Sequence, residues 1–252
     1  MTNAFPIHPP SSARQRLDRL LVERGLFESR ARAQAAIAQG LVRVSGVVVT
    51  KPATEVAPDA EIAAQAAHDF VSRGALKLEA ALDAFAIDPA GQAALDVGAS
   101  TGGFTELLLR RGAAHVFAVD VGRDQLHARL RRHPAVTSLE GTDIRALAAG
   151  ALPPVDLVVV DASFISLALV LPPALAFAAP RARLVALVKP QFEAGRAALK
   201  KGVVRDAAVH EEVCARALAL VETLGWRGLG LVPSPIAGGD GNREFLLGAE
   251  RL

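Results

Sequence analysis

The sequence predicts an α/β protein: a doubly wound, mostly parallel sheet with a small α-β module ahead of it. Three observations carry this. From Ala93 onward, short apolar runs alternate with segments of helical period, the pattern of repeated βα units. The stretch Asp156–Asp161 is apolar between its two acids, as a strand covered on both faces is. Residues 14–62 instead carry two short helical patterns and a hairpin.

Residues 1–13 read as a disordered tail. Leu17, Leu20, Leu21 and Arg24 then share one helix face, and Gly25 stops it. Ser29 is the N-cap of a second helix, Arg30–Gln39, stopped by Gly40. Leu41–Val44 alternates as a strand, Ser45-Gly46 turns it, Val47–Val49 returns, and Lys51-Pro52 closes the hairpin. Residues 1–51 hold eight Lys and Arg against Asp18, Glu23 and Glu28, a net +5. The rest of the chain therefore carries −3 of the overall +2. A basic module on a mildly acidic body suggests a nucleic-acid handle on an enzyme, although a solvated basic helix face has the same composition.

After a linker at 68–71, the second domain is read over 72–252. Ser72 starts a helix through Phe85 that carries Lys77. Ala93–Val97 is the first strand, Phe104–Arg111 a helix and His115–Asp120 the second strand. A helix over Asp124–Arg132, capped by Asp124, leads to a third strand, Val136–Leu139. Asp156–Asp161 is the fourth strand, Leu167–Ala178 a helix despite Pro172-Pro173, and Arg183–Lys189 the fifth strand. Asp206–Leu224 is the longest helix, capped by Asp206 and stopped by Gly225; Gly228–Val232 and Glu244–Gly248 close the sheet. In such sheets ligands bind at the carboxyl ends of the strands.

Several classes are excluded. The single Cys214 rules out a disulfide framework and favours a reducing compartment; mid-helix among Val213, Ala215 and Leu218, it reads as core. Met1–Ser12 has no apolar core and three prolines, unlike a signal peptide. The most apolar window, Ile165–Ala179, is broken by its proline pair and is shorter than the roughly 20 residues a membrane span needs. A cytoplasmic protein with no membrane partner and no metal site is expected.

The strand ends carry the chemistry. Ala94–Val97 runs into Gly98-Ala99-Ser100-Thr101-Gly102-Gly103-Phe104, a turn opening a helix. Ser100 stands where a dinucleotide fingerprint has its second glycine. The Gly98-x-x-x-Gly102-Gly103 spacing resembles the first motif of S-adenosylmethionine-dependent methyltransferases. On that resemblance Asp96, Gly98, Ser100, Thr101, Gly102, Gly103 and Phe104 form the cofactor loop. Asp120, with Val121, is placed to accept from ribose hydroxyls, and Asp143, with Ile144, from the adenine amine. Either aspartate could instead cap the turn that follows it.

Asp161 and Lys189 end neighbouring strands. An acid and a lysine facing a methyl donor suit a hydroxyl acceptor, whose proton must leave as the methyl arrives. A lysine assists there if burial or a nearby cation lowers its pKa. Lys77 is a candidate for that cation, and Glu244 for the balancing charge. A base amine is commonly methylated through an Asn/Asp-Pro-Pro-Tyr loop after the fourth strand. Here that loop reads Asp161-Ala162-Ser163-Phe164, and the chain has no tyrosine. Cysteine, used in base-carbon methylation, is confined to Cys214.

Residues 14–62 resemble the S4 RNA-binding domain. The matching pieces are Arg16-Leu17-Asp18, Glu28 to Ala33, Gly40 to Val44, and Gly46 to Pro52. The resemblance implies a basic face of Arg16, Arg19, Arg30, Arg32 and Lys51 against RNA backbone. In the larger part, Lys77 in Ser72–Leu78, Asp161 in Val160–Phe164, Lys189 in Leu187–Glu193 and Glu244 in Gly241–Leu246 resemble the Lys-Asp-Lys-Glu tetrad of FtsJ-like ribose 2′-O-methyltransferases. Over residues 14–250 the chain is similar to the TlyA family. That implies a Rossmann-like methyltransferase sheet, S-adenosylmethionine as donor, and a cytidine ribose of 16S or 23S ribosomal RNA, naked or within a subunit, as acceptor. Members are often labelled hemolysins, and no pore-forming segment is read here. Some members join their domains through Arg-x-Trp-Val, where this chain has His68-Asp69-Phe70-Val71. The alternative classes of function are a non-catalytic RNA-binding ribosome-assembly factor and a secreted cytolysin.

Overall fold

The computed structural model describes residues 14–65, 69–238 and 241–251. The tail expected over 1–13 and His68 of the linker lie outside the described residues. The chain divides into two compact units, 1–69 and 70–252.

The first unit contains β1 (Gln15–Arg16), α1 (Leu17–Glu23), α2 (Arg30–Ala38), β2 (Val42–Val44), β3 (Val47–Val48), β4 (Glu55–Val56) and β5 (Ile62–Ala64). β2 is central, antiparallel to both β3 and β5, and β1 pairs with β4. β1, β4 and β5 were not foreseen: at two or three residues each, they are too short for a period of two to register. Leu17, Leu20, Leu21, Phe27 and Ile37 fill the core between helices and sheet. Ser29 caps α2 as expected, its hydroxyl accepting from the Arg32 amide.

The second unit opens with α3 (Gly74–Ala84), β6 (Ala93–Val97), α4 (Gly103–Arg110), β7 (His115–Asp120), α5 (Ala128–Arg131) and β8 (Val136–Glu140). It continues with β9 (Val155–Val160), α6 (Leu167–Leu175), β10 (Ala178–Val188), α7 (Pro190–Glu193), α8 (Ala207–Thr223), β11 (Trp226–Pro233) and β12 (Phe245–Arg251). These strands form a seven-stranded sheet in the order β11-β12-β10-β9-β6-β7-β8. β6 to β10 run parallel, and β12 is antiparallel to both of its neighbours.

The apolar run of β9 is buried on both faces, as read. Leu157 and Val159 face the cluster under α3 and α4; Val158 and Val160 face the one under α6 and α8. The chain order reverses between β6 and β9, so the crevice at their carboxyl ends is the place where such sheets bind ligands.

Three expectations need correction. The helix expected over Asp124–Arg132 is only α5, capped by His127, and Asp124 sits in the left-handed region at φ 56°. The Glu140 carboxylate accepts from the Gln125 and Leu126 amides, at 2.6 and 3.0 Å, and so holds that stretch as a loop. α6 stops at Leu175 rather than Ala178. The residues beyond it enter β10, which begins earlier than expected and shifts register between Ala178 and Arg183.

Candidate active site

A cleft of about 810 Å³ opens at the carboxyl ends of β6, β7 and β9, walled by Asp120, Val121, Asp143, Ile144 and Phe164. A recess of about 250 Å³ adjoins it and reaches Ser72, Lys77, Thr101, Gly103 and Phe104. Gly98, Ser100 and Asp161 line both.

The glycine loop is shaped by close approach. Gly98 has φ 86°, and a Cβ there would lie 2.7 Å from the Asp161 carbonyl oxygen. Only glycine lets the end of β6 pass so near the end of β9. Asp120 braces the loop from β7: Oδ2 accepts from the Ser100 amide and Oδ1 from the Gly122 amide, each at 2.7 Å. Each carboxylate oxygen keeps a further lone pair. Ser100 itself is left-handed at φ 46°.

Asp96, Gly102, Lys189 and Glu244 line neither cavity. Gly102 caps α4 at φ 96°. Asp96 is fully buried beneath the loop, where Oδ2 accepts from the Thr105 hydroxyl at 2.6 Å and Oδ1 has no partner. Burial pushes its carboxyl up to about 7; the Thr105 hydrogen bond opposes this, and nearby Asp161 and Asp120 add to it. Asp143 adopts the capping role left open by the sequence. It accepts from the Arg145 amide at 2.9 Å and pairs with the Arg145 guanidinium, which holds its carboxyl below the usual range. It still faces the cleft.

Two lysine–carboxylate pairs stand beside the loop. Lys189 Nζ lies 2.6 Å from Asp161 Oδ1 and donates to Ser163 Oγ at 2.8 Å. Lys77 Nζ lies 2.5 Å from Glu244 Oε2. Lys189, Lys77 and Glu244 are all buried. The charge on Lys77, considered above as a cation acting on Lys189, is thus balanced by Glu244.

Two neighbours escaped the sequence reading as individuals. Ser163 is the hydroxyl partner of Lys189. Phe164 is 90% exposed at φ 64°, with its ring 5.0 Å from that of Phe192. An aromatic three residues past the acid that ends an apolar strand was the available signal. Cys214 is half-buried rather than core, and burial pushes its thiol up, the reverse of what a nucleophile needs.

In the first unit the five basic residues divide. Arg16 and Arg30 both donate to the buried Asp18, at 3.0 and 2.9 Å, and Gln34 joins them at 2.7 Å. Arg19 pairs with Glu23 and Arg32 with Glu28 on the helix surface. Lys51 is exposed and forms no ion pair among the described residues.

A glycine loop at the switch point, braced by an aspartate from the next strand, is the ligand-binding arrangement of doubly wound α/β sheets, and the family matched here makes this one a methyltransferase sheet. The FtsJ-like methyltransferase model matches residues 70–251, and the S4 domain model matches residues 15–62. The chain belongs to the FtsJ-like methyltransferase family and carries an S4 domain. It is 47% identical to the 16S/23S rRNA (cytidine-2′-O)-methyltransferase TlyA of Mycobacterium tuberculosis, across 93% of this chain and 89% of that protein. It is 38% identical to Hemolysin A of Brachyspira hyodysenteriae, across 92% and 98%. The solved structure of a Streptococcus thermophilus protein described as a hemolysin matches with a TM-score of 0.76 at 39% identity, across 96% and 90%. A methyltransferase structure from Listeria monocytogenes, 14% identical, matches with a TM-score of 0.54 across 72% and 100%, which shows the fold alone. Among the described residues no helix is long and apolar enough to cross a membrane.

Proposed function

We propose that the protein methylates the 2′-hydroxyl of a cytidine ribose in ribosomal RNA, with S-adenosylmethionine as donor. The observation that carries this reading is the Lys189–Asp161 pair at the switch point, with the Lys77–Glu244 pair beside the same recess. The four residues fill the positions of a tetrad suited to a hydroxyl acceptor, and the family and the S4 domain agree with an RNA substrate.

The cavities fit the donor. Asp120 offers free lone pairs to ribose hydroxyls, and Val121 and Ile144 give apolar surface for a purine, with Asp143 at its edge. Gly98, Ser100, Thr101 and Gly103 leave backbone exposed along the recess for the methionine end. When bound there, S-adenosylmethionine supplies an electrophilic methyl on a sulfonium.

The chain's own groups do the rest. Asp161, which lines both cavities, pairs with the Lys189 ammonium behind it, and Ser163 fixes the direction of that ammonium. Once that ammonium has released its own proton to solvent, the neutral Lys189 amine orients the ribose 2′-oxygen and takes up the hydroxyl proton as the oxygen–carbon bond forms and the donor's carbon–sulfur bond breaks. The Lys77–Glu244 pair completes the polar wall without adding net charge. Phe164 offers an exposed aromatic face beside the cleft for a base lifted out of its stack. The first unit holds RNA backbone through its basic residues, in the cytoplasm where ribosomal subunits are made.

The test is incubation with labelled S-adenosylmethionine and ribosomal RNA from a strain lacking the gene, followed by nucleoside analysis. Label on a cytidine ribose is the expected result. Label on a base, or binding of RNA with no transfer, would overturn the reading.

A further inference from the structure

The turn ahead of α8 has no part in the chemistry above. Lys200 and Val203 pair as an antiparallel bridge, with amide-to-carbonyl distances of 3.0 and 3.1 Å. Lys201 and Gly202 form its tip, at φ 53° and 79°. Two successive left-handed residues make a tight turn in which Asn-Gly is the favoured pair, and a lysine there carries a backbone cost.

Buried Asn242 pins this tip. Its side-chain amide donates to the Gly202 carbonyl at 3.0 Å, and its side-chain oxygen accepts from the Val204 amide at 3.2 Å. The Asn242 carbonyl accepts from the Gly238 amide at 2.9 Å, and Gly238 lines the recess beside Lys77. Two positions after Asn242 stands Glu244, the partner of Lys77. The turn is therefore fastened to the wall of the active site.

Lys200, Lys201 and Arg205 are all exposed, and no ion pair among the described residues involves them. Elsewhere on this unit Arg110, Arg129, Arg131, Arg145 and Arg183 are each matched to an acid, whereas the exposed Arg73, Arg123, Arg132 and Arg181 also form no ion pair among the described residues; what distinguishes the turn is its fastening to the active-site wall. The adjacent Asp206 is occupied in capping α8. A pinned turn carrying Lys200 and Lys201, with Arg205 just beyond it and none of the three in an ion pair among the described residues, suits phosphates, not base edges. We propose that this turn is a second RNA contact, gripping sugar–phosphate backbone close to the methylated nucleotide. It rests on the reading of the protein as an RNA methyltransferase.

The test uses full-length protein and filter retention of labelled ribosomal RNA across a range of salt. Lys200→Gln/Lys201→Gln/Arg205→Gln should weaken RNA binding about tenfold or more near physiological salt. It should also make the plot of log affinity against log salt shallower, by about 0.7 per lost contact on single strands and about 0.9 on duplex. S-adenosylmethionine affinity should be unchanged. Lys201→Asn suits the turn better, so its melting temperature must hold or rise while RNA affinity falls, which separates lost contact from lost fold. Lys200→Arg/Lys201→Arg should keep the wild-type slope. An unchanged slope and affinity in the triple variant overturns the proposal. Wild-type protein that binds RNA but leaves ribose unmethylated overturns the functional reading instead, and the salt slope still decides the contact.

Discussion

Lys77 Nζ lies 2.5 Å from Glu244 Oε2, joining the helix before the sheet to the residue ahead of its last strand across 167 positions of chain. Side-chain exposures of 11% and 3% make this a nearly dry pair, in which removing one charge strands the other. Lys77→Ala should therefore cost about 3–5 kcal/mol in urea unfolding of the methyltransferase unit. Lys77→Met/Glu244→Gln removes both charges and should recover most of that stability. Methyl transfer should stay lost in the double variant; recovery of rate along with stability would make the pair purely structural.

Buried Lys189 contacts Asp161, which lines both cavities, and Ser163, which lines the larger one. Losing a positioned proton acceptor typically slows a reaction 10²–10⁴-fold, and Lys189→Ala should slow kcat by about that much. Calorimetry should show S-adenosylmethionine still bound. Lys189→Arg keeps a positive charge beside Asp161 but stays protonated throughout the accessible pH range. It should be as slow as the alanine variant. Full activity in either would remove the lysine from the reaction.

The legibility of this site in the sequence followed the range of the contacts. β7 and β9 were readable because each apolar run ends against an acid, and α4 because a glycine turn opens it. The cap that Asp143 makes was open to sequence reading because it involves only Arg145, two positions on. The loop before α5 was misread because Glu140 holds it from 14 and 15 residues away, and no local pattern encodes that. Asp161 and Lys189 were readable as a pair because they end neighbouring strands, whereas Glu244 was only a candidate balancing charge, its contact with Lys77 spanning 167 positions. The burial of Asp96 depends on layers that assemble only in the folded sheet.

In the S4 unit, Asp18 explains why two of the five expected RNA-facing basic residues, Arg16 and Arg30, also serve the fold. Hydrogen bonds from Arg16 above all hold its carboxyl well below the usual carboxylate range, with Gln34 and Arg30 adding to the effect. A depressed carboxyl contributes stability above its unfolded pKa, near 3.9, and loses it as pH falls through the folded value. The unit should keep this contribution at pH 5 and shed it only in stronger acid. Arg16 and Arg30 are about half exposed, at 46% and 56%, so solvent screens both pairs. Asp18→Asn should then cost only about 1–2 kcal/mol, read by thermal melting. Arg19→Gln and Lys51→Gln should weaken RNA binding with no change in melting temperature. A lowered melting temperature in that pair would make them structural as well.

Asp96 makes the opposite pH prediction for the methyltransferase unit. Its carboxyl is pushed up to about 7 by burial, with Oδ1 unpartnered and Asp161 and Asp120 nearby. The folded protein therefore binds a proton here that the unfolded chain has already released between about pH 4 and 7. Stability from this group falls as pH rises across that window and levels off above it, at roughly 1.4 kcal/mol for each pH unit crossed. Asp96→Asn keeps an acceptor for the Thr105 hydroxyl and removes the ionisation. Melting of the cofactor-free protein should show the variant clearly more stable than wild type at pH 8, with the gap closing toward pH 5. A gap independent of pH would mean that Asp96 titrates as an ordinary carboxylate.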